Sequence, residues 1–191
     1  MPDTKLCIEP IPADGSLPDG LLATDGERRQ ADTFGTAHRR AEYLLWRHIV
    51  RRELGADTEI AYSHTGAPAV KNRNLHISVS HNAGFVAVLI SPHRCAVDIE
   101  SLARNFSRVA SRYVSPSEAQ LSDDPRLLCA LWCAKETLYK YSGRNGLDLL
   151  NDIAVEKVDF GRQIIVGRLC GGDSTQMKML QYGDNLIVYI G

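Results

Sequence analysis

Apolar residues recur at helical spacing in one stretch of the first half of the chain. Between residues 36 and 54, Ala41, Leu45 and Ile49 lie four positions apart, and Leu44 and His48 follow the same helical spacing beside them. This pattern predicts an amphipathic helix. Gly55 follows where a helix C-cap is expected.

Shorter apolar runs in the same half predict strands. Residues 5–11 form one candidate, and residues 75–80, 85–91 and 95–100 form three more that are separated by turn-forming residues. The last three are expected to pair as an antiparallel meander. The first and third strands of a meander run in the same direction, so their C-terminal ends would lie at one edge of the sheet.

The second half of the chain repeats the order of helix and then strands. Residues 105–113 are expected to be helical, 115–121 resemble a helix start, and 125–141 predict a longer helix. Four strand candidates separated by glycine-containing turns follow at 153–160, 163–169, 175–181 and 186–190. We therefore expect an α+β protein with two similar lobes, residues 1–101 and 102–191, and a site where they meet.

Two carboxylates end the strand candidate at 95–100. Asp98 and Glu100 lie two positions apart, so in a strand they point to the same face, where their charges repel each other. Either this face is solvated, or a hard divalent cation such as Mg²⁺ lies between the two carboxylates. In the expected meander, Ser80 and His81 would lie at the same edge of the sheet.

A second group of polar residues lies on the helix predicted at 125–141. Trp132, Glu136 and Lys140 follow one another at steps of four and form a column on one face, with Lys135 beside it. These residues suit a site that holds a metal ion and neutralises phosphate charge. They suit an ordinary surface ion pair at a helix end equally well.

Composition narrows the classes of function. A formal net charge of −1 argues against a dedicated nucleic-acid binder, and no apolar run approaches membrane-spanning length. Residues 1–10 lack a secretory hydrophobic core, and the five cysteines form no CxxC pair, so a reducing cytoplasm is expected. Residues 27–52 contain an excess of arginines, which either hold an anionic ligand or form the solvated face of a helix.

Three motifs in order along the chain indicate a family. "SVSHN" at 78–82, "AVDIE" at 96–100 and "LWCAKETLYK" at 131–140 together resemble motifs of the 4′-phosphopantetheinyl transferase superfamily. The basic segment at 37–47 and the segment at 108–121 resemble further regions of that family. The resemblance covers about residues 28 to 159, and the length resembles the larger, monomeric, surfactin-synthetase-activating type, whose two lobes form a pseudo-dimer.

The resemblance implies an activity and a set of site residues. The activity is Mg²⁺-dependent transfer of 4′-phosphopantetheine from coenzyme A to a serine of an apo acyl or peptidyl carrier protein, with release of 3′,5′-ADP. By resemblance, the metal is held by Asp98, Glu100 and Glu136, and Glu136 is also a candidate base. The implied coenzyme A contacts are Lys135, Lys140 and His81 at the pyrophosphate, Ser80 and Arg39 at the nucleotide end, and Arg28 as a looser candidate.

The chain also departs from the family pattern. Ala67 stands where the family often has a phosphate-binding lysine, and Ala96 and Cys133 replace a glycine and a serine. The alternative function is therefore a non-catalytic relative that binds coenzyme A or a carrier protein. An unrelated Mg²⁺-dependent phosphohydrolase would explain the carboxylates but not the order of the motifs.

Overall fold

The computed structural model describes residues 3–191, which divide into two compact units, one ending at His93 and the other spanning Arg94–Gly191. The expected lobe boundary lay after residue 101, so the strand that carries Asp98 and Glu100 belongs to the second unit rather than the first. Each unit contains helices and antiparallel strands, and the α+β fold class is confirmed.

The first unit contains two helices and five strands. In chain order they are β1 Lys5–Pro10, α1 Asp25–Asp32, α2 Ala37–Leu54, β2 Ile60–Tyr62, β3 Pro68–Val70, β4 His76–His81 and β5 Phe85–Ser91. Strands β1, β5 and β4 form an antiparallel sheet in that order, and β2 pairs with β3 in a separate two-stranded sheet. Helix α1 and strands β2 and β3 were not expected from the sequence pattern.

Helix α2 packs its apolar face on β5, as the spacing of its apolar residues predicts. Leu45 and Ile49 join Val86 and Val88 in the core of this unit. The helix begins after Thr36, whose side chain accepts a hydrogen bond from the Arg39 backbone N–H at 3.2 Å.

The second unit contains one long helix and five strands. They are β6 Ala96–Ser101, α3 Leu127–Ser142, β7 Ile153–Asp159, β8 Ile164–Leu169, β9 Thr175–Tyr182 and β10 Asn185–Ile190. The sheet order is β6-β10-β9-β8-β7, and α3 packs across β6, β10, β7 and β8. Cys129 and Cys133 are buried in this core.

The expected meander of three strands is wrong in its third member. Strand β5 pairs with β4 on one edge and with β1 on the other, so neither edge is available to β6. Strand β6 instead pairs with β10. The expectation that Ser80 and His81 share one sheet edge with Asp98 and Glu100 therefore fails, because the two pairs belong to different sheets.

The helix expected at 105–113 is also wrong. The structure has two 3₁₀ turns there, Phe106–Arg108 and Ala110–Arg112, and a third at Glu118–Gln120. Tyr113 follows the second of these turns, and its buried hydroxyl donates to the Leu128 carbonyl at 3.0 Å. Within residues 3–191, no helix combines the length and apolar character needed to cross a membrane.

Candidate active site

Strand β6 presents two carboxylates to helix α3. Leu186 and Val188 of β10 lie directly opposite Glu100 and Asp98, and both belong to the core beneath α3. Because directly opposed residues of antiparallel strands share a face, Asp98 and Glu100 both point toward the helix. The prediction that these two side chains share one face is confirmed.

Lys140 joins α3 to the carboxylate of Asp98. Its Nζ donates to Asp98 Oδ1 at 2.8 Å and to the Val97 carbonyl oxygen at 2.9 Å. Gly143 ends α3 just beyond this residue with a φ of 63°, a left-handed conformation that favours glycine. The end of the helix therefore places a cation directly on the buried Asp98.

Glu100 is held by Arg104, which also contacts Trp132. Arg104 forms an ion pair with the carboxylate, and its guanidinium lies 4.6 Å from the Trp132 ring centre. Burial raises the pKa of Glu100, the charge of Asp98 raises it further, and Arg104 and Trp132 oppose the change.

Glu136 lies one turn of α3 before Lys140 and is half-buried. Burial raises its pKa, and the charges of Asp98 and Glu100 raise it further, while Lys140 and Arg104 oppose this. Within residues 3–191, its carboxylate takes part in no hydrogen bond or ion pair. The column of Trp132, Glu136 and Lys140 thus faces the β6 carboxylates, as the spacing on the helix predicts.

The three carboxylates suit a hard divalent cation in their chemistry but are not gathered around one point. Carboxylate oxygens are ligands that Mg²⁺ prefers. In the described part of the chain, however, no three or more His, Cys, Asp or Glu side chains are grouped so that they could hold a metal ion. Asp98 and Glu100 are instead held by Lys140 and Arg104. The metal site expected by resemblance therefore stays a prediction.

Lys135 does not lie where a phosphate could reach it. Its side chain is 0% exposed, and its Nζ lies 2.8 Å from Glu118 Oε1 and donates to the Leu149 carbonyl at 2.8 Å. Burial lowers its pKa, and Glu118 opposes the change. The expectation that Lys135 contacts the pyrophosphate conflicts with this burial, because neighbouring positions on a helix face different directions.

Glu118 is a site-supporting residue that the sequence pattern did not identify. Besides the ion pair with Lys135, its carboxylate accepts the backbone N–H groups of Ser115 and Val155, each at 2.8 Å. It therefore links the segment before α3 to β7 through a buried charge. The Ser-x-x-Glu spacing of Ser115 and Glu118, typical of a capping box, was the available signal.

The first unit brings together two of the expected coenzyme A residues. Arg39 of α2 forms an ion pair with Glu42, and His81 at the end of β4 reaches the same carboxylate, with a distance of 3.0 Å between His81 Nε2 and Glu42 Oε1. Glu42 was not singled out from the sequence. In the sequence it is one acidic residue among many arginines, and its burial results from the packing of α2 on the sheet, which the sequence pattern does not show.

The structure also places the other two expected residues of this unit, Ser80 and Arg28. Ser80 is buried on β4 next to His81, and the guanidinium of Arg28 on α1 donates to the Leu21 carbonyl at 2.9 Å. Two arginines of the basic stretch, Arg47 and Arg51, are buried and paired with Glu27. For these two, neither the anion-binding nor the solvated interpretation holds, because they are structural ion pairs.

The second unit matches a known family. Residues 94–186 match the model of the 4′-phosphopantetheinyl transferase superfamily, so this part of the chain contains a domain of that transferase superfamily. The matched region includes the carboxylates of β6 and all of α3. A comparison with curated proteins found no match.

Proposed function

We propose that the protein transfers the 4′-phosphopantetheine group of coenzyme A to a serine hydroxyl of an apo acyl or peptidyl carrier protein and releases 3′,5′-ADP. The observation that carries the proposal is the group formed by Asp98, Glu100, Glu136 and Lys140. It lies within the region that matches the superfamily, and it combines carboxylates with a cation at the end of a helix.

The reaction would replace the phosphoanhydride bond of coenzyme A by a phosphoester bond to the carrier serine. The carrier hydroxyl oxygen attacks the phosphorus that bears the pantetheine arm, and the bond from that phosphorus to the leaving 3′,5′-ADP breaks, with its electron pair going to the leaving phosphate oxygen. Lys140 would offset the negative charge on the pyrophosphate during this exchange. Phosphoryl transfer relies mainly on such positioning and charge stabilisation.

Glu136 is the proposed acceptor of the hydroxyl proton. Its carboxylate is half-buried, makes no ion pair with any of residues 3–191, and has a raised pKa because of burial and the neighbouring carboxylates. A more basic carboxylate takes up a proton more readily at neutral pH. The proton would pass from the carrier serine to Glu136, directly or through water, and then to solvent.

Mg²⁺ dependence forms part of the proposal. Asp98, Glu100 and Glu136 would hold the ion, which when bound would offset charge on the pyrophosphate. Their oxygen donors and their mutual repulsion support this assignment. Lys140 and Arg104, which now neutralise Asp98 and Glu100, would have to yield part of those contacts.

The first unit would contribute coenzyme A contacts of its own. Arg39 and His81 would bind phosphate groups, and Ser80 lies beside His81. We further propose the larger, monomeric type of the superfamily, since each unit has a long helix packed on an antiparallel sheet. A cytoplasmic location suits the cysteines, none of which forms a disulfide within residues 3–191.

Mass spectrometry of a carrier protein tests the function. The protein is incubated with coenzyme A, MgCl₂ and an apo acyl or apo peptidyl carrier, and the carrier should gain the mass of one phosphopantetheine group. A carrier whose modified serine is changed to alanine should gain none, and chelation of divalent cations should stop the reaction. The relative rates on the two carriers identify the preferred class.

Paired variants test the site. Glu136→Gln should lower kcat by about 100-fold or more, in the range for loss of a general base. Glu156→Gln is the matched control, because Glu156 lies in the same unit, on β7, and pairs with Arg168. Full activity of Glu136→Gln would refute the role as base. Coenzyme A binding by the wild type with no gain of carrier mass would instead establish the non-catalytic alternative.

A further inference from the structure

Glu42 carries a buried charge that serves two exposed partners. Its side chain is only 8% exposed, whereas those of Arg39 and His81 are 48% and 44% exposed. A buried carboxylate is costly unless it is paired and hydrogen-bonded. Here both partners reach the carboxylate from the surface, so one buried anion holds two solvent-accessible nitrogen groups in place.

The two partners come from different elements of the first unit. Arg39 lies one turn before Glu42 on α2, and His81 lies at the end of β4. The ring of Phe34 lies 5.2 Å from the Arg39 guanidinium and restricts it from a second direction. An exposed arginine would otherwise sample many rotamers, so these contacts reduce the entropy that it would lose on binding an anion.

We infer that Glu42 is a positioning residue that holds Arg39 and His81 as a preformed pair of donors for the phosphate groups of coenzyme A. This inference rests on the proposed function, since the phosphate ligand is the substrate of that reaction. Glu42 itself, being buried and negative, would not contact the phosphate. It would act through the orientation of its two partners.

Charge and orientation predict opposite effects of removing the carboxylate. Glu42→Gln deletes a negative charge beside an anion site, so simple Coulomb attraction predicts tighter binding of coenzyme A. A positioning role predicts weaker binding, because the amide holds the Arg39 guanidinium and the His81 imidazole less firmly than the carboxylate does. The sign of the change therefore separates the two explanations.

Titration calorimetry with coenzyme A and with 3′,5′-ADP measures this sign. We expect Glu42→Gln to raise the Kd for coenzyme A by about tenfold, which corresponds to ~1.4 kcal/mol. Glu53→Gln is the matched control, since Glu53 lies on the same helix and also holds two cations, Lys5 and Arg52. That control should change the Kd by less than about twofold, the range for a surface substitution away from the site.

A double-mutant cycle tests whether Glu42 acts through its partners. In a background of Arg39→Ala and His81→Ala, Glu42→Gln should cause no further weakening, since nothing remains to be positioned. Additive losses in that background would overturn the inference. Thermal unfolding checks that each variant is folded, and Glu42→Asp, which keeps the charge but withdraws the carboxylate, replaces Glu42→Gln if the latter is unfolded.

The outcome separates this inference from the proposed function. If the wild type modifies the carrier and folded Glu42→Gln binds coenzyme A as tightly as the wild type or more tightly, the positioning role is wrong and the function stands. If the wild type binds coenzyme A but leaves the carrier unmodified, the proposed function fails. The Kd values then still decide the role of Glu42.

Discussion

Lys135→Met removes the cation of a fully buried ion pair while keeping a side chain of similar length. In the wild type, the Lys135 Nζ lies 2.8 Å from Glu118 Oε1 and 3.0 Å from Oε2, and both side chains are buried. The substitution leaves Glu118 with a negative charge in the core of the second unit. It also leaves the Leu149 carbonyl without the lysine donor.

The expected cost follows from what Glu118 retains. Removing one partner of a buried ion pair typically costs about 3–5 kcal/mol. Glu118 keeps two backbone N–H donors, from Ser115 and Val155, at 2.8 Å each, so we expect a loss near the lower end, ~3 kcal/mol. For a chain of this size, this corresponds to a fall in Tm of about 6–12 °C.

Urea unfolding followed by fluorescence measures the change, because Trp132 reports on the second unit and Trp46 on the first. Lys135→Met combined with Glu118→Gln should recover part of the loss, since the uncompensated charge is then gone. At a temperature where the variant is folded, its Kd for coenzyme A should match that of the wild type. Unchanged stability together with weakened coenzyme A binding would refute the structural role and restore Lys135 as a phosphate contact.

Two further substitutions test other buried charges. Glu27→Gln should destabilise the first unit by about 3 kcal/mol at pH 7, because it leaves the buried Arg47 and Arg51 without their carboxylate. Burial acts to raise the pKa of Glu27, but the Arg51 hydrogen bonds and charge outweigh it and lower that pKa below its ordinary value of 4.5. The stabilisation is thus fully present above pH 4.5 and is lost as the pH falls through the folded-state pKa. In urea titrations, the difference in unfolding free energy between variant and wild type should therefore shrink at acid pH. A difference that does not change with pH would contradict this. Glu136→Gln should raise the Tm of metal-free protein at pH 7 by a few degrees, since it relieves repulsion among three carboxylates. Added Mg²⁺ should raise the Tm of the wild type more than that of the variant. A lower Tm for that variant in calorimetry would show that the carboxylates do not repel one another as described.

Short-range spacing in the sequence was sufficient to predict which side chains share a face. The period of two in β6 places Asp98 and Glu100 together, and the period of four in α3 aligns Glu136 with Lys140. These relations depend only on local backbone geometry. They hold whichever neighbours the element has.

The partners of each element were decided by the tertiary structure. Strand β6 could have joined β5 on the evidence of its pattern, but β1 occupies that edge, and β6 pairs with β10 instead. Apolar alternation specifies that a strand pairs, and the choice of partner depends on long-range packing that a local pattern does not encode.

Burial of charged residues likewise emerged only in three dimensions. Lys135 and Glu136 are neighbours in a single motif, yet one is enclosed with Glu118 and the other faces the carboxylates of β6. The burial of Glu42 and Glu118 could not be read from the residues around them in the sequence. Each becomes important because folding places it away from water, where a charge must be paired, and so ties together segments that are distant in sequence.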